Sequence, residues 1–351
     1  MKLQNKKLRA GIASSIAILL SASMITSCQK DATSVTPTTD DVTSSNSMTI
    51  ANATSNLATT AATVAVPTTY NNKSNITLSG LVINCNNASK IGLQLQNCTN
   101  VHITNCKIYN SLTYGIELYN CKNVTIDNCF ITNVMAGVYV LKSSTIKVSY
   151  NQFLNMNGPF PSGNFIQFDN VTGSGNQMNY NKCEDVAGVA KHPQDGLSLF
   201  QSSGLPGDSI QVIGNWIRGG QILHDSGGAC GICLGDMGGS YQVARGNILV
   251  NPGSAGIQIQ GGSHIKYDHN TIYSAPTPMG VCGIDYANYS GTSSTDINVS
   301  YNKVKFLNAA GNEMDEWYDP TRFAMPTGWA TNLLKQPLGT NILPAVIITS
   351  K

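Results

Sequence analysis

Charge is scarce in this chain: only 11% of its residues are Asp, Glu, Lys or Arg, and aromatics make up 7%. The basic residues are also unevenly placed. Four of the 21 Lys and Arg fall in residues 1–27, where there is no acid, which leaves 17 basic against 19 acidic groups beyond them. No basic stripe remains to neutralise phosphates, so nucleic acid is excluded as a partner. With so few aromatics, the extended stacking stripe of a purely adhesive glycan binder is not evident. The apolar run "AGIASSIAILLSASM" is too short to span a bilayer comfortably. Cys230-Gly-Ile-Cys233 lacks a second Cys or His pair at ligand spacing and lies in a strand phrase, so zinc is not predicted there.

That apolar run follows Lys2, Lys6, Lys7 and Arg9, the layout of a secretory signal. It ends in Ile25-Thr26-Ser27-Cys28, which resembles a bacterial lipobox, in which the Cys is lipidated and becomes the mature N-terminus. Gln29-Lys30-Asp31 resembles the export tag of Bacteroidetes-type surface lipoproteins. The resemblance implies an outer-membrane lipoprotein anchored at Cys28 and exposed at the cell surface; a plain signal peptide with an unrelated Cys is the alternative. The following stretch is rich in Ser, Thr, Ala and Asn, and such a composition buries too little apolar surface to offset the entropy of ordering it. The expected organisation is a signal over 1–27, a tether over 28–70, a repeat domain over 71–306 and a cap over 307–351.

From about residue 76 two phrases recur. One is an alternating strand followed by Cys or Asn: "VHITNCKI", "VTIDNCFI", "IKVSYNQF", "IKYDHNTI", "INVSYNKV". It marks a column of Cys106, Cys129, Asn151, Asn181, Asn215, Asn247, Asn270 and Asn302, with steps of 22–34 residues. The other is Gly-apolar-polar-apolar: "GLQL", "GIEL", "GVYV", "GLSL", "GICL", "GIQI", "GIDY". Alternation sends Leu93/Leu95, Ile116/Leu118 and Leu197/Leu199 inward, to stack from coil to coil. Self-similarity at this period predicts a solenoid, here an all-β, single-stranded parallel β-helix of about nine coils. Cys98/Cys121 and Cys106/Cys129 occupy equivalent positions in successive coils, where packed thiols are favoured although in-register stacking leaves a bridge between neighbours open.

The two columns resemble the right-handed parallel β-helix superfamily that includes pectate lyases, chondroitinase B-like lyases and polygalacturonases. The resemblance spans about 76–306 and implies a substrate groove over the outer face of the Gly strands. Many chemistries share this scaffold. The Trp-x-Asp-His pattern of pectate lyases and the Asn-Thr-Asp, Asp-Asp, Gly-His-Gly and Arg-Ile-Lys signatures of polygalacturonases are absent.

Across that face the expected outward column is Gln94, Glu117, Tyr139, Gln167, Ser198, Cys233, Gln258 and Asp285, with the column Gly residues leaving a flat floor. Long loops leave consecutive coils at 154–164, 184–195 and 218–230. On these loops and the adjoining strands, Lys191, His192, Asp195, Arg218, His224 and Asp236 are candidate catalytic groups, and Asp169, Gln167, Ser198, Asp225 and Gln258 candidate substrate-binding groups. A polysaccharide lyase would use Lys191 or His192 as base and Arg218 to neutralise a uronate carboxylate. In that case Asp195 and Asp236 would orient these groups or hold Ca2+. A glycoside hydrolase would instead pair two of Asp169, Asp195, Asp225 and Asp236, and a non-catalytic binder is the third reading. The sequence favours the lyase, acting as a monomer on a uronic-acid-containing polysaccharide.

Overall fold

The computed structural model describes residues 62–158, 162–186, 195–219, 230–288, 291 and 294–350. The signal segment, Cys28 and most of the tether lie outside them.

Every named strand pairing is parallel, and the register steps one coil at a time, which gives a right-handed parallel β-helix with three faces. The first face carries the Gly phrases, from Thr68–Asn71 through Leu93–Gln96, Ile166–Asp169, Leu197–Phe200, Cys230–Asp236, Ala255–Ile259 and Cys282–Tyr286 to Glu316–Tyr318. The second is a nine-stranded sheet running from Ser74–Ser79 to Ser294–Ser300, in agreement with the expected coil number. The third follows the Asn column, with Gln152–Met156, Lys182–Glu184, Trp216–Arg218, Ile248–Val250, Thr271–Ser274 and Lys303–Phe306. Lys107–Tyr119 and Phe130–Leu141 bend from the third face into the first without a break, where the intervening loop is shortest.

Period-two alternation puts one apolar residue over the next in the interior. Leu93, Ile116, Val138, Ile166, Leu197, Ile232, Ile257 and Ile284 form one fully buried file. Each such burial contributes roughly 1.5–3 kcal/mol. The turns between faces need left-handed backbone, which Asn tolerates better than other side chains. Asn97 and Asn120, Asn100 and Asn123, and Asn105 and Asn128 all have positive φ at equivalent corners.

The Asn column is a buried hydrogen-bond ladder. The Asn181 amide oxygen accepts both the backbone N–H (3.0 Å) and the side-chain N–H (3.1 Å) of Asn151. The same pair of bonds repeats from Asn181 to Asn215, Asn215 to Asn247, Asn247 to Asn270, and Asn270 to Asn302. The ladder continues one rung further than the repeat phrases do, from Asn302 to Asn332.

The coil register extends past 71–306 at both ends. Thr63–Ala65 and Thr68–Asn71, assigned by sequence to the tether, already pair with Leu81–Ala88 and Leu93–Gln96. Glu316–Tyr318, assigned to the cap, pairs with Cys282–Tyr286. Trp329 is buried against the core, Phe323 packs on Tyr286 with ring centroids 5.1 Å apart, and Trp317 lies in register with Asp285. The nine described cysteines are free and buried.

One expectation about the floor fails. A Cβ on Gly92 would lie 2.4 Å from Ile108 Cγ2 and 2.6 Å from the Gly115 carbonyl oxygen, and Gly115, Gly231 and Gly256 meet equivalent neighbours. These glycines are therefore required by close packing at the corner between the third and first faces. They do not leave a flat floor for a sugar.

Candidate functional site

The outward column of the first face is the one read from the sequence. Register pairs run from Thr69 to Gln94, Glu117, Tyr139, Gln167, Ser198, Cys233, Gln258, Asp285 and Trp317. At its N-terminal end the polar groups bond along the helix axis: Thr69 Oγ1 donates to Gln94 Oε1 (2.9 Å) and Gln94 Nε2 to Glu117 Oε2 (2.5 Å). Tyr114 stacks on Tyr139 at 4.7 Å, 12° from parallel, and burial pushes both phenols up.

Two residues further along each strand runs a second outward file. Asp169 pairs with Phe200, and Phe200 pairs with Asp236. Simple alternation from Cys233 would put residue 235 in this file. Instead the register shifts between the pairs Ser198/Cys233 and Phe200/Asp236, and the extra residue is Gly235 at φ 62°. A Cβ there would lie 2.1 Å from the Gly261 carbonyl oxygen, so only glycine fits. The Gly235 N–H is taken up by the buried Gln242 amide oxygen at 2.8 Å. The bulge thus delivers the Asp236 carboxylate to the file that holds Asp169, two coils away.

Asp169 is oriented by two donors, the Tyr139 hydroxyl (2.6 Å) and Asn170 Nδ2 (2.6 Å). Burial, with the charges of Asp195 and Asp169 adding to it, raises Asp236 to about 6. Among the described residues no Lys, Arg or His forms an ion pair with Asp169, Asp195 or Asp236. The half-buried Phe200 lies between the two facing acids Asp169 and Asp236.

Asp195 stands at the corner where the chain enters the first face. Its backbone oxygen accepts Asn164 Nδ2 (2.9 Å), and its Oδ1 accepts the Cys230 N–H of the next coil (3.0 Å). Its carboxylate and the Cys230 and Cys233 sulfurs all lie within 4.8 Å of one another. Burial pushes the Asp195 carboxyl up against these hydrogen bonds. The contact with Cys230 pulls the Cys233 thiol down, but burial and the charges of Asp195, Asp236 and Asp285 outweigh it and push the thiol up to about 12.

Of the residues singled out from the sequence, Asp169, Gln167, Asp195 and Asp236 are brought to one region, and Gln258 stands further along, donating to Asp285 at 2.5 Å. Ser198 is only 1% exposed, so its hydroxyl is not presented to a ligand. Arg218 points away. It lies on the third face beside Glu184 (3.2 Å), and its guanidinium donates to the carbonyls of Pro344 and Ala345, where it clamps the C-terminal tail. The reason is strand parity, which sends Arg218 out of the third face toward its register partner Glu184. The candidate calcium pair is not supported either, because the neighbours of Asp195 are thiols and calcium takes oxygen ligands. Lys191, His192, His224 and Asp225 lie outside the described residues. Sequence reasoning missed Phe200 and the partnership of Asp195 with the two cysteines. The first is legible as the residue two past Ser198; the second requires the coil-to-coil register.

Residues 69–235 match the family model described as "Right handed beta helix region". No curated protein matches the chain. Among solved structures, the chain is similar to a point mutant of the tailspike protein of E. coli bacteriophage HK620 in complex with a pentasaccharide, at 15% identity and a TM-score of 0.34, covering 67% of this chain and 53% of that one. A tailspike mutant from the same phage in complex with a hexasaccharide gives 15% and 0.32 over 67% and 52%. A mannuronic acid specific polysaccharide family 6 lyase from human gut microbiota gives 11% and 0.26 over 74% and 86%. The chain spans about half the length of the tailspike structures it matches. Scores this low carry no weight for what the chain does. By its own register and the family match, the repeat domain is a right-handed parallel β-helix.

Proposed function

We propose that the outer surface of the first face binds a glycan and that Asp236 and Asp169 hydrolyse a glycosidic bond on it with inversion. The observation that carries this reading is the shared register position of the two carboxylates two coils apart, with Phe200 between them. Two strand spacings place their backbones about 9.4–9.8 Å apart, so the carboxyl groups need only lean slightly toward each other to reach the separation that inversion requires. Inverting glycosidases hold their carboxyl groups about 6.5–9.5 Å apart, leaving room for the attacking water. Asp236, raised to about 6, is suited to donate a proton to the leaving oxygen. Asp169, held by Tyr139 and Asn170, is suited to activate the water. Phe200 supplies an apolar surface for a sugar face, and Gln167 an amide for its hydroxyls.

The lyase reading loses support because Arg218, its carboxylate neutraliser, is committed to the C-terminal tail. Attachment through a lipid at Cys28, with the domain presented outside the cell as a monomer, is part of the same proposal and rests on the N-terminal sequence. The test is to incubate the protein with neutral and uronic polysaccharides, following reducing ends and unsaturated uronate together. New reducing ends of inverted configuration are expected, with turnover falling on the order of 10²–10⁴-fold in Asp236→Asn and in Asp169→Asn. Unsaturated product, or full turnover in both variants, would overturn the proposal.

A further inference from the structure

Cys230 and Cys233 are three residues apart in an extended segment, and regular alternation would turn their side chains to opposite faces. They do not diverge. Both sulfurs reach one point with the Asp195 carboxylate, each ligand atom within 4.8 Å of the other two. The break in alternation falls at the coil corner, where Gly231 has no room for a side chain: its Cβ would lie 2.3 Å from Leu249 Cδ2 and 2.8 Å from the Gly256 carbonyl oxygen. Asp195 comes from the preceding coil and is fixed by the Cys230 N–H on Oδ1, which leaves Oδ2 for another partner. Both cysteines are free and essentially fully buried, at 1% and 0% exposure.

We infer that Asp195, Cys230 and Cys233 form a three-ligand site for a thiophilic divalent metal of the zinc class, with a fourth position left to water. Tetrahedral ligands about 2.3 Å from a shared ion sit about 3.8 Å from one another, so a cluster whose ligand atoms already lie within 4.8 Å closes on one with side-chain movements of no more than about 1 Å. The donors are soft sulfur with one carboxylate oxygen, a set that selects zinc-like ions over calcium or magnesium. The surroundings agree independently. Asp236 lies close enough to Asp195 and Cys233 for their charges to interact, so a cation here would offset crowded carboxylate charge. Binding is a ligand exchange without redox: two S–H protons leave to solvent, two metal–sulfur bonds and one metal–oxygen bond form, and water leaves the ion. The site does not depend on the first face being hydrolytic, and its third donor, Asp195, is neither the Cys nor the His that spacing alone would look for.

The experiment uses the purified protein under reducing, chelator-washed conditions, titrated with Zn2+ and separately with Co2+. One ion per chain is expected, with thiolate-to-cobalt charge-transfer absorption in the near ultraviolet. Cys230→Ser and Cys233→Ser should each weaken binding by at least about 100-fold, since loss of even an outer-shell partner costs about 10–100-fold. Asp195→Asn should weaken binding while keeping the sulfur band. Cys183→Ser, a buried thiol on the third face, should bind normally. If a cysteine variant fails to fold, the wild-type protein still decides the matter. Zn2+ should protect Cys230 and Cys233, and not Cys183, from alkylation mapped by mass spectrometry. The proposal is overturned by absence of a stoichiometric ion, by a sulfur band of undiminished intensity in either single cysteine variant or any sulfur band in the double variant, by equal alkylation with and without zinc, or by a Cys230–Cys233 disulfide in freshly purified protein.

Discussion

Replacing Asn247 by Leu tests the internal ladder where it is fully buried. In the native coil the Asn247 amide oxygen accepts the backbone N–H and the side-chain N–H of Asn215, both at 2.9 Å. Its Nδ2 donates to the Val212 carbonyl (2.9 Å) and to Asn270 Oδ1 (2.8 Å). Leucine removes all four bonds. The losses are unequal. Asn215 Nδ2 keeps the Met178 carbonyl and Asn270 Oδ1 keeps the residue-247 backbone N–H, but the Asn215 backbone N–H loses its ladder acceptor. A buried polar group left unsatisfied costs about 1–3 kcal/mol, and the two weakened bonds add roughly 1 kcal/mol each. Together these give a destabilisation of about 3–5 kcal/mol. At about 2 °C per kcal/mol for a domain of this size, the melting temperature should fall by roughly 6–10 °C. Thermal melts followed by circular dichroism would read it, with Asn123→Gly as the control. Asn123 belongs to an exposed corner ladder, bonded to Asn100 at 2.8 Å, where water replaces the lost partner and glycine keeps the positive φ, so the expected change is within about 0.5 kcal/mol. Equal effects of the two substitutions, or a fall below 2 °C for Asn247→Leu, would refute the ladder as a source of stability.

Three further outcomes are expected. Because the Asp236 carboxyl is raised to about 6, the folded chain binds more protons than the unfolded one between about pH 4 and 6, so this group's contribution to stability is lost as pH rises through that window. In metal-free protein Asp236→Asn should therefore raise stability by about 1–2 kcal/mol at pH 8, with little change at pH 4, while it removes turnover; destabilisation at pH 8 would contradict the environment assigned to it. Arg218→Ala should free the tail at residues 344–345, speeding its proteolysis and lowering the melt by about 1–2 kcal/mol, with glycan turnover unchanged. A selective loss of turnover with an unaltered melt would return Arg218 to the groove. Cys28→Ser should abolish incorporation of labelled lipid and release the domain from membranes, and unchanged partitioning would remove the anchor from the proposal.

Much of this architecture is local and periodic, and that part was legible in the sequence. A parallel coil repeats one set of φ and ψ values, so inward Leu93, Ile116 and Leu197, the Asn151–Asn302 column and the outward file from Gln94 to Asp285 follow from alternation and spacing alone. Corner glycines were equally visible, but their purpose was not. Whether Gly92 opens a floor or admits a neighbouring carbonyl depends on the atom one coil away. The same distance separates the correct site residues from the incorrect ones. Arg218 and Asp195 both flank long loops in the sequence, yet strand parity turns one to Glu184 and the C-terminal tail, and the corner turns the other toward Cys230 and Cys233. Asp236 reaches the file of Asp169 only because one extra residue, Gly235, is absorbed as a bulge against Gly261. Sequence fixes which residues repeat, because repetition is a property of the chain; which carboxylates and thiols face one another is settled by contacts between residues more than twenty positions apart, and those exist only once the coils have stacked.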